Sequence, residues 1–234
     1  MICCLADTHL GHELIAHTRH FKVGKEHDEA VLDGINSVAK KRDRLYIVGD
    51  FCKDNAHKWR QRIVCKEVTL IRGNHDCPSI CRAFGKGHLF DTRMVKVRSG
   101  INLFMSHYPH CYWPGSHHGS ARNKVYVGSI HVYGHVHDEK EAELNRIWPD
   151  RRSQDVGVDT AIRLLGSPKP FDEAYLLEHL WAGRKGHHEI GTPWEVPKAD
   201  LSAADRYGDR SDTGEQNQSG GLPPNAATQG GGPV

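Results

Sequence analysis

The chain has 234 residues, 38% of them hydrophobic, and its 31 Lys and Arg nearly balance 29 Asp and Glu. That balance argues against a highly basic nucleic-acid coat or an acidic tail protein, while the length suffices to bury one core. No apolar run of about 18 residues is present, so no transmembrane helix is expected. In chain order, Ile2–Ala6 reads as a buried strand. Glu26–Lys41 reads as a helix with Val31, Ile35 and Val38 on one face. Leu45–Val48 is a second strand, Asn55–Val64 a short helix and Val68–Ile71 a third strand. Met94–Val97 and Ile101–Met105 flank Ser99-Gly100 as a hairpin. His131–Tyr133 and Gln154–Val158 read as further strands, and Asp172–Leu180 as a helix capped by Asp172. Strands alternate with helices early and pair as hairpins later, which predicts an α/β fold with a mixed sheet or two packed sheets.

Residues 198–234 hold seven glycines and three prolines, with almost no large apolar side chains. Such a segment cannot bury enough surface to offset its chain entropy, so the reading is a disordered tail behind a single domain over 1–197. The N-terminal segment reaches Asp7 without a basic stretch or an apolar core, so no secretory signal is expected. Seven cysteines, an odd number with no CxxC pair, speak against a disulfide framework and for a reducing, cytoplasmic setting.

Histidine is the unusual residue, at 18 of 234. It is the commonest metal ligand, and position decides whether these histidines serve as ligands or as surface groups. The first strand is followed by Asp7-Thr8-His9-Leu10-Gly11-His12, the second by Gly49-Asp50 and the third by Gly73-Asn74-His75-Asp76. Ser106-His107 follows the Ile101–Met105 strand, and Gly134-His135-Val136-His137 follows His131–Tyr133. Ligands bind at the C-terminal edge of such sheets, and glycine there permits sharp turns and close approach. Asp7, His9, Asp50, Asn74, His107, His135 and His137 make seven donors, which suits two ions sharing one carboxylate. Mixed imidazole and carboxylate donors favour Mn²⁺, Fe, Zn²⁺ or Ni²⁺ over Ca²⁺. Two such ions can clamp an in-line displacement at phosphorus.

The ordered series D-x-H, G-D, G-N-H-D, S-H and G-H-x-H resembles the calcineurin-like metallophosphoesterase superfamily, in its small single-domain bacterial and phage form. The resemblance runs from Asp7 to His137 and extends toward Val156-Gly157-Val158-Asp159. It implies a four-layer α/β/β/α sandwich with two mixed sheets and a dinuclear centre, Mn²⁺ being the first expectation. Asp7, His9 and His137 would hold one metal, Asn74, His107 and His135 the other, and Asp50 would bridge them. A metal-bridging hydroxide would attack phosphorus, and His75 would protonate the leaving oxygen. Asp76 would orient the His75 ring and raise its pKa. His12 is a candidate for contacting phosphate or supporting a ligand. The second motif lacks the G-D-x-V-D-R-G wording of the superfamily's protein phosphatases, and the chain lacks room for the DNA-binding domains of its repair nucleases.

The expected partner is a small phosphoester, a nucleotide among the candidates, with no membrane contact. The alternative is a nuclease acting on single-stranded nucleic acid, suggested by Lys40-Lys41-Arg42-Asp43-Arg44 and Lys58-Trp59-Arg60-Gln61-Arg62. Such stretches are more often helix surfaces and helix C-terminal turns that complement the dipole. A non-catalytic scaffold is the remaining reading, disfavoured because every ligand position is filled. His12 and His17 are five apart and do not share a helical face, which excludes a zincin site.

Overall fold

The structure, a computed structural model, describes residues 1–97, 100–116, 121–122, 125–126, 128–149 and 151–181. The tail expected over 198–234 lies outside the described residues, as do His117, His118, His187 and His188.

Two mixed sheets carry the fold. The first has the strand order β11-β1-β2-β3-β4, built from β1 (Ile2–Leu5), β2 (Arg44–Ile47), β3 (Glu67–Ile71), β4 (Leu89–Phe90) and β11 (Phe171–Asp172). β1 to β4 run parallel, and β11 closes the edge antiparallel to β1. The second has the order β10-β9-β6-β5, from β5 (Thr92–Lys96), β6 (Asn102–Ser106), β9 (Ser129–Tyr133) and β10 (Ser153–Asp155). Here β6, β9 and β10 are parallel, and β5 pairs antiparallel with β6, as the hairpin reading expects. A separate ribbon joins β7 (Ala121–Arg122) to β8 (Val125–Tyr126).

The expected α/β architecture with two mixed sheets is therefore present. One apolar core spans both sheets and includes Leu45, Ile47 and Leu70 from the first with Leu103, Met105, Ile130 and Val132 from the second. Strand side chains alternate between faces, so His131 and Tyr133 point away from that core and are buried on the other side of the second sheet. The sheets meet at their ends, where Ala6 bridges to Gly157 and its N–H donates to the Val156 carbonyl at 2.8 Å.

Three of the helices lie close to the sequence reading or within it. α2 (Gly24–Val38) buries Val31, Leu32 and Ile35, and α3 (Ala56–Arg62) buries Trp59. α7 (Glu173–Leu180) starts where the Asp172 carboxylate accepts the Tyr175 N–H at 2.8 Å. α6 (Val158–Leu165) is a correction: the strand expected over Gln154–Val158 ends at Asp155, and Val158 opens a helix. Its apolar residues Val158, Ala161, Ile162 and Leu165 follow helical spacing, which a five-residue window reading Val156-Gly157-Val158 does not reveal. α1 (Glu13–Thr18), α4 (Pro78–Cys81) and α5 (Glu141–Ile147) are too short and polar to carry a clear periodic signal. All seven cysteines are free, and among the described residues no helix is long and apolar enough to cross a membrane.

The buried His131 couples this packing to pH. Its Nδ1 faces the Phe104 carbonyl at 3.2 Å, and its Nε2 faces the His110 N–H at 3.2 Å. Both nitrogens are satisfied only by the neutral ring, and burial lowers the pKa to about 3. The unfolded chain, with an ordinary histidine pKa of about 6.5, binds a proton that the folded chain refuses between those values. This contribution is complete above about pH 6.5 and is lost as pH falls toward 3. In denaturant titrations, His131→Gln is expected to flatten the rise of stability from about pH 4 to about pH 6 by up to about 1.4 kcal/mol per pH unit relative to wild type. An unchanged slope would show that His131 is protonated in the fold.

Candidate metal centre

The parallel strands deliver their polar loops to one edge. Asp7 and His9 follow β1, Asp50 follows β2, Asn74 and His75 follow β3, His107 follows β6, and His135 and His137 follow β9. The loops are laced by backbone bonds: Asp7 N–H to the Gly49 carbonyl at 3.0 Å, His9 N–H to Asp50 at 2.9 Å and Gly134 N–H to His107 at 3.0 Å. The chain accepts strain to make these turns. Asp7, His9, Asp50, His135 and His137 have φ of 53°, 43°, 54°, 72° and 48°, left-handed values that cost energy for any residue with a Cβ. Gly49 adopts φ 91°, and a Cβ there would lie 2.0 Å from His107 Nδ1, so only glycine lets the imidazole in.

Asp7, His9 and His137 present ligand atoms within 4.8 Å of one another, and so do Asp7, Asp50 and His107. Asp7 belongs to both groups. Asp50 Oδ2 lies between them, 3.7 Å from His9 Nε2 and 3.5 Å from His107 Nε2. Asn74 Oδ1 faces His107 Nε2 at 3.0 Å and His135 Nδ1 at 2.9 Å, which brings the last two expected donors to the same place. All seven predicted ligand residues therefore converge.

The polar atoms at this place lack donors. Asp7 Oδ1 and His9 Nε2 are buried with no hydrogen-bond partner. His107 Nδ1 lies 2.9 Å from the Val48 carbonyl, which can only accept; Nδ1–H therefore donates and the Nε2 lone pair faces the oxygens of Asp50 and Asn74. Such a convergence of acceptors is stable only with positive charge among them. The titration behaviour carries the same demand. Burial would lower the His107 pKa, but the carboxylates of Asp50 and Asp7 override it and raise it to about 9. Burial raises Asp7 to about 6, and burial lowers His9 to about 3. An imidazole pushed to protonate beside an imidazole forbidden to do so fits a site whose missing charge is a cation.

The remaining predicted residues sit around this centre. The His75 N–H donates to Asp50 Oδ1 at 2.9 Å, while its ring is 60% exposed with Nε2 4.0 Å from Asp50 Oδ2. His12 caps α1, its Nδ1 accepting the Ile15 N–H at 3.5 Å, and its ring lies 5.8 Å from that of His9. Asp76 is a correction. Its carboxylate accepts the N–H groups of Gly73 at 2.8 Å, Asp50 at 2.9 Å and Phe51 at 3.0 Å, and no hydrogen bond among the described residues joins it to the His75 ring. A buried carboxylate turns toward three backbone donors that would otherwise be orphaned, so Asp76 holds the second and third loops together. His110 faces Ser106 Oγ at 3.0 Å and packs on the second sheet away from the centre.

Three residues escaped the sequence reading. His137 Nδ1 lies 2.8 Å from Asp159 Oδ2, and Arg19 binds both oxygens of Asp159 at 2.9 and 2.7 Å. Asp155 accepts the N–H groups of Gly157 at 2.6 Å and Asp138 at 2.8 Å, and burial together with nearby Asp7 raises its pKa to about 7. Asp159 ends the Val156-Gly157-Val158-Asp159 segment already noted, but nothing in its neighbourhood in sequence marks a partner 22 residues away.

The family model described as the calcineurin-like phosphoesterase superfamily domain matches residues 1–149. Among solved structures, a protein of unknown function from Aquifex aeolicus aligns over 76% of this chain and 98% of its own, with 22% identity and a TM-score of 0.57. That likeness shows a shared fold. A conserved uncharacterized protein from Streptococcus pneumoniae TIGR4, described as a predicted phosphoesterase, aligns over 58% of this chain and 62% of its own, with 14% identity and a TM-score of 0.29. No curated protein matches the chain.

Asp76→Ala is expected to lower stability by more than about 2 kcal/mol in urea titrations, because three buried N–H groups lose their acceptor at about 1–3 kcal/mol each. Unchanged stability with loss of turnover alone would return Asp76 to the role of orienting His75.

Proposed function

The chain belongs to the calcineurin-like phosphoesterase superfamily, and from that premise we propose that it hydrolyses phosphodiesters or phosphomonoesters at a pair of divalent cations. The observation that carries this reading is the two adjacent ligand groups with Asp50 Oδ2 between His9 Nε2 at 3.7 Å and His107 Nε2 at 3.5 Å, while Asp7 Oδ1 and His9 Nε2 are buried and unpartnered. The residues fit such a pair. Asp7, His9 and His137 would hold one cation, and Asn74, His107 and His135 the other. Asp50, with Oδ2 between His9 and His107, would be shared. Imidazole, carboxylate and amide donors without a thiolate favour Mn²⁺, with Fe, Zn²⁺ and Ni²⁺ as alternatives. When bound, the cations would supply an activated water and positive charge to offset the charge on the phosphoryl oxygens.

The chain's own groups account for the rest. The His75 backbone is tied to Asp50, which keeps its exposed imidazole at the rim, where it can give a proton to the leaving oxygen. The His12 ring stands 5.8 Å from that of His9 and would meet a phosphate oxygen. An open groove lined by Ile15, Thr18, Val136 and Lys140 runs along His135 and His137. Its mixed apolar and polar lining suits the organic part of a small ester.

Three side chains of the basic stretches that suggested nucleic acid are engaged within the chain. Arg62 pairs with Glu29, Arg60 binds the Cys65 and Lys66 carbonyls, and Lys40 caps the end of α2 on the Asn36 and Ser37 carbonyls. That supports the small-ester reading over a single-strand nuclease.

Purified protein loaded with Mn²⁺ is expected to cleave bis-p-nitrophenyl phosphate and to stop on addition of EDTA or in Asp50→Asn. Loaded protein that cleaves neither mono- nor diesters sinks the proposal. His75→Ala should keep its cations in calorimetric titration and lose turnover by about 10²–10⁴-fold, most on poor leaving groups. Loss of cations instead would place His75 among the ligands.

A further inference from the structure

We propose that Arg19 is the positioning residue of the cation site formed by Asp7, His9 and His137, acting through Asp159 and through the Asp7 backbone. The inference rests on the two-cation reading above. Arg19 follows α1 and its side chain is only 2% exposed. A guanidinium in that setting is costly unless its N–H groups are all spent, and their partners show where the energy goes. Nε and one terminal nitrogen fork onto Asp159 at 2.9 and 2.7 Å, and that same terminal nitrogen donates to the Asp7 carbonyl at 2.8 Å. The other terminal nitrogen lies 2.9 Å from His27 Nε2.

Each contact bears on a ligand. Asp159, held by the fork, meets His137 Nδ1 at 2.8 Å; Nδ1–H donates to the carboxylate and leaves the Nε2 lone pair for a cation. The contact with the Asp7 carbonyl pins a residue whose φ of 53° the backbone would not choose unaided. On the far side, His27 Nδ1 lies 3.1 Å from Asp28 Oδ1, and that oxygen accepts the Gly11 N–H at 2.9 Å. His27 donates from Nδ1 and accepts from Arg19 at Nε2. The network thus grips the loop bearing Asp7 and His9 at both ends, while its other branch fixes His137. A lysine, with a single tetrahedral ammonium, cannot reproduce three directions in one plane. Asp7 belongs to both ligand groups and its Oδ2 accepts the His135 N–H at 2.9 Å, but the Asp159 branch bears on His137 alone, so the network weighs more on one cation than on the other.

The test is Mn²⁺ titration of the full chain by calorimetry, with electron paramagnetic resonance of the loaded protein. Wild type is expected to bind two Mn²⁺ and to show an exchange-coupled spectrum. Arg19→Gln and Asp159→Asn should each weaken one of the two sites by about 10–100-fold and the other by much less, turning the spectrum into that of isolated Mn²⁺. Arg19→Lys should not restore the lost site, and the double variant should lose less than the sum of the two single ones, because they share the Arg19–Asp159 contact. Variants that keep both affinities overturn the proposal, and so does equal weakening of both sites, the mark of a general structural role. Should Arg19→Gln not fold, Asp159→Asn, at a partly solvated carboxylate, decides alone. Wild type that binds no Mn²⁺ would sink the two-cation reading itself, a result separate from variants that bind like wild type.

Discussion

Asp7 and Asp50 are carboxylates buried at the ends of adjacent parallel strands, and the fold must supply them with positive charge. Backbone amides meet part of the demand: His135 N–H reaches Asp7 Oδ2 at 2.9 Å and His75 N–H reaches Asp50 Oδ1 at 2.9 Å. Asp50 Oδ2 instead faces His9 Nε2 and His107 Nε2, and Asp7 Oδ1 has no hydrogen-bond donor among the described residues. Acceptors packed against acceptors are unstable in a dry interior, where Coulomb repulsion is poorly screened. The opposed shifts of His107 upward and His9 downward express that frustration. Positive charge placed among these atoms would relieve it.

The architecture follows from bringing such groups together. Parallel strands point their C-terminal ends the same way, and both sheets bring that edge to a common seam where Ala6 meets Gly157. Close approach then selects the residues between the donors. Gly49 leaves room for the His107 ring, and a Cβ at Gly134 would lie 2.4 Å from Asp7 Oδ2. The left-handed turns at five of the converging residues are held by the surrounding lacing. Strain concentrates at the site because several loops are forced to end within a few ångströms of one point.

A second ring of charge separates the tasks of otherwise similar groups. Asp50 faces inward between two histidines, whereas Asp76, 26 residues on, faces three backbone amides and serves the loops. Asp159 meets both a buried arginine and a histidine, which explains why its carboxyl stays far below the usual range: burial opposes ionisation, but the bonds to His137 and Arg19 outweigh it. Among the described residues Asp155 is met by the backbone N–H groups of Asp138 and Gly157 and by the neighbouring Asp7 carboxylate, so burial prevails and its pKa rises. The same side chain thus has three chemistries, set by what each fold position places against it.

Much of this was legible in the chain itself. An apolar run followed by glycine and a polar residue is a local pattern, and it recurs at Asp50, Asn74 and His135. Strand ends in a parallel sheet lie on one edge, so the order of motifs alone told which residues would meet. Short helices such as α1 and α5 were not legible, because six or seven residues complete too few turns for a periodic signal. The partner of Asp76 and the alliance of Arg19 with Asp159, 140 residues apart, were decided by tertiary structure. Residue types and spacing determine which groups reach the edge of a sheet; the direction a buried carboxylate or guanidinium then faces depends on which donors and acceptors the packing leaves unsatisfied around it.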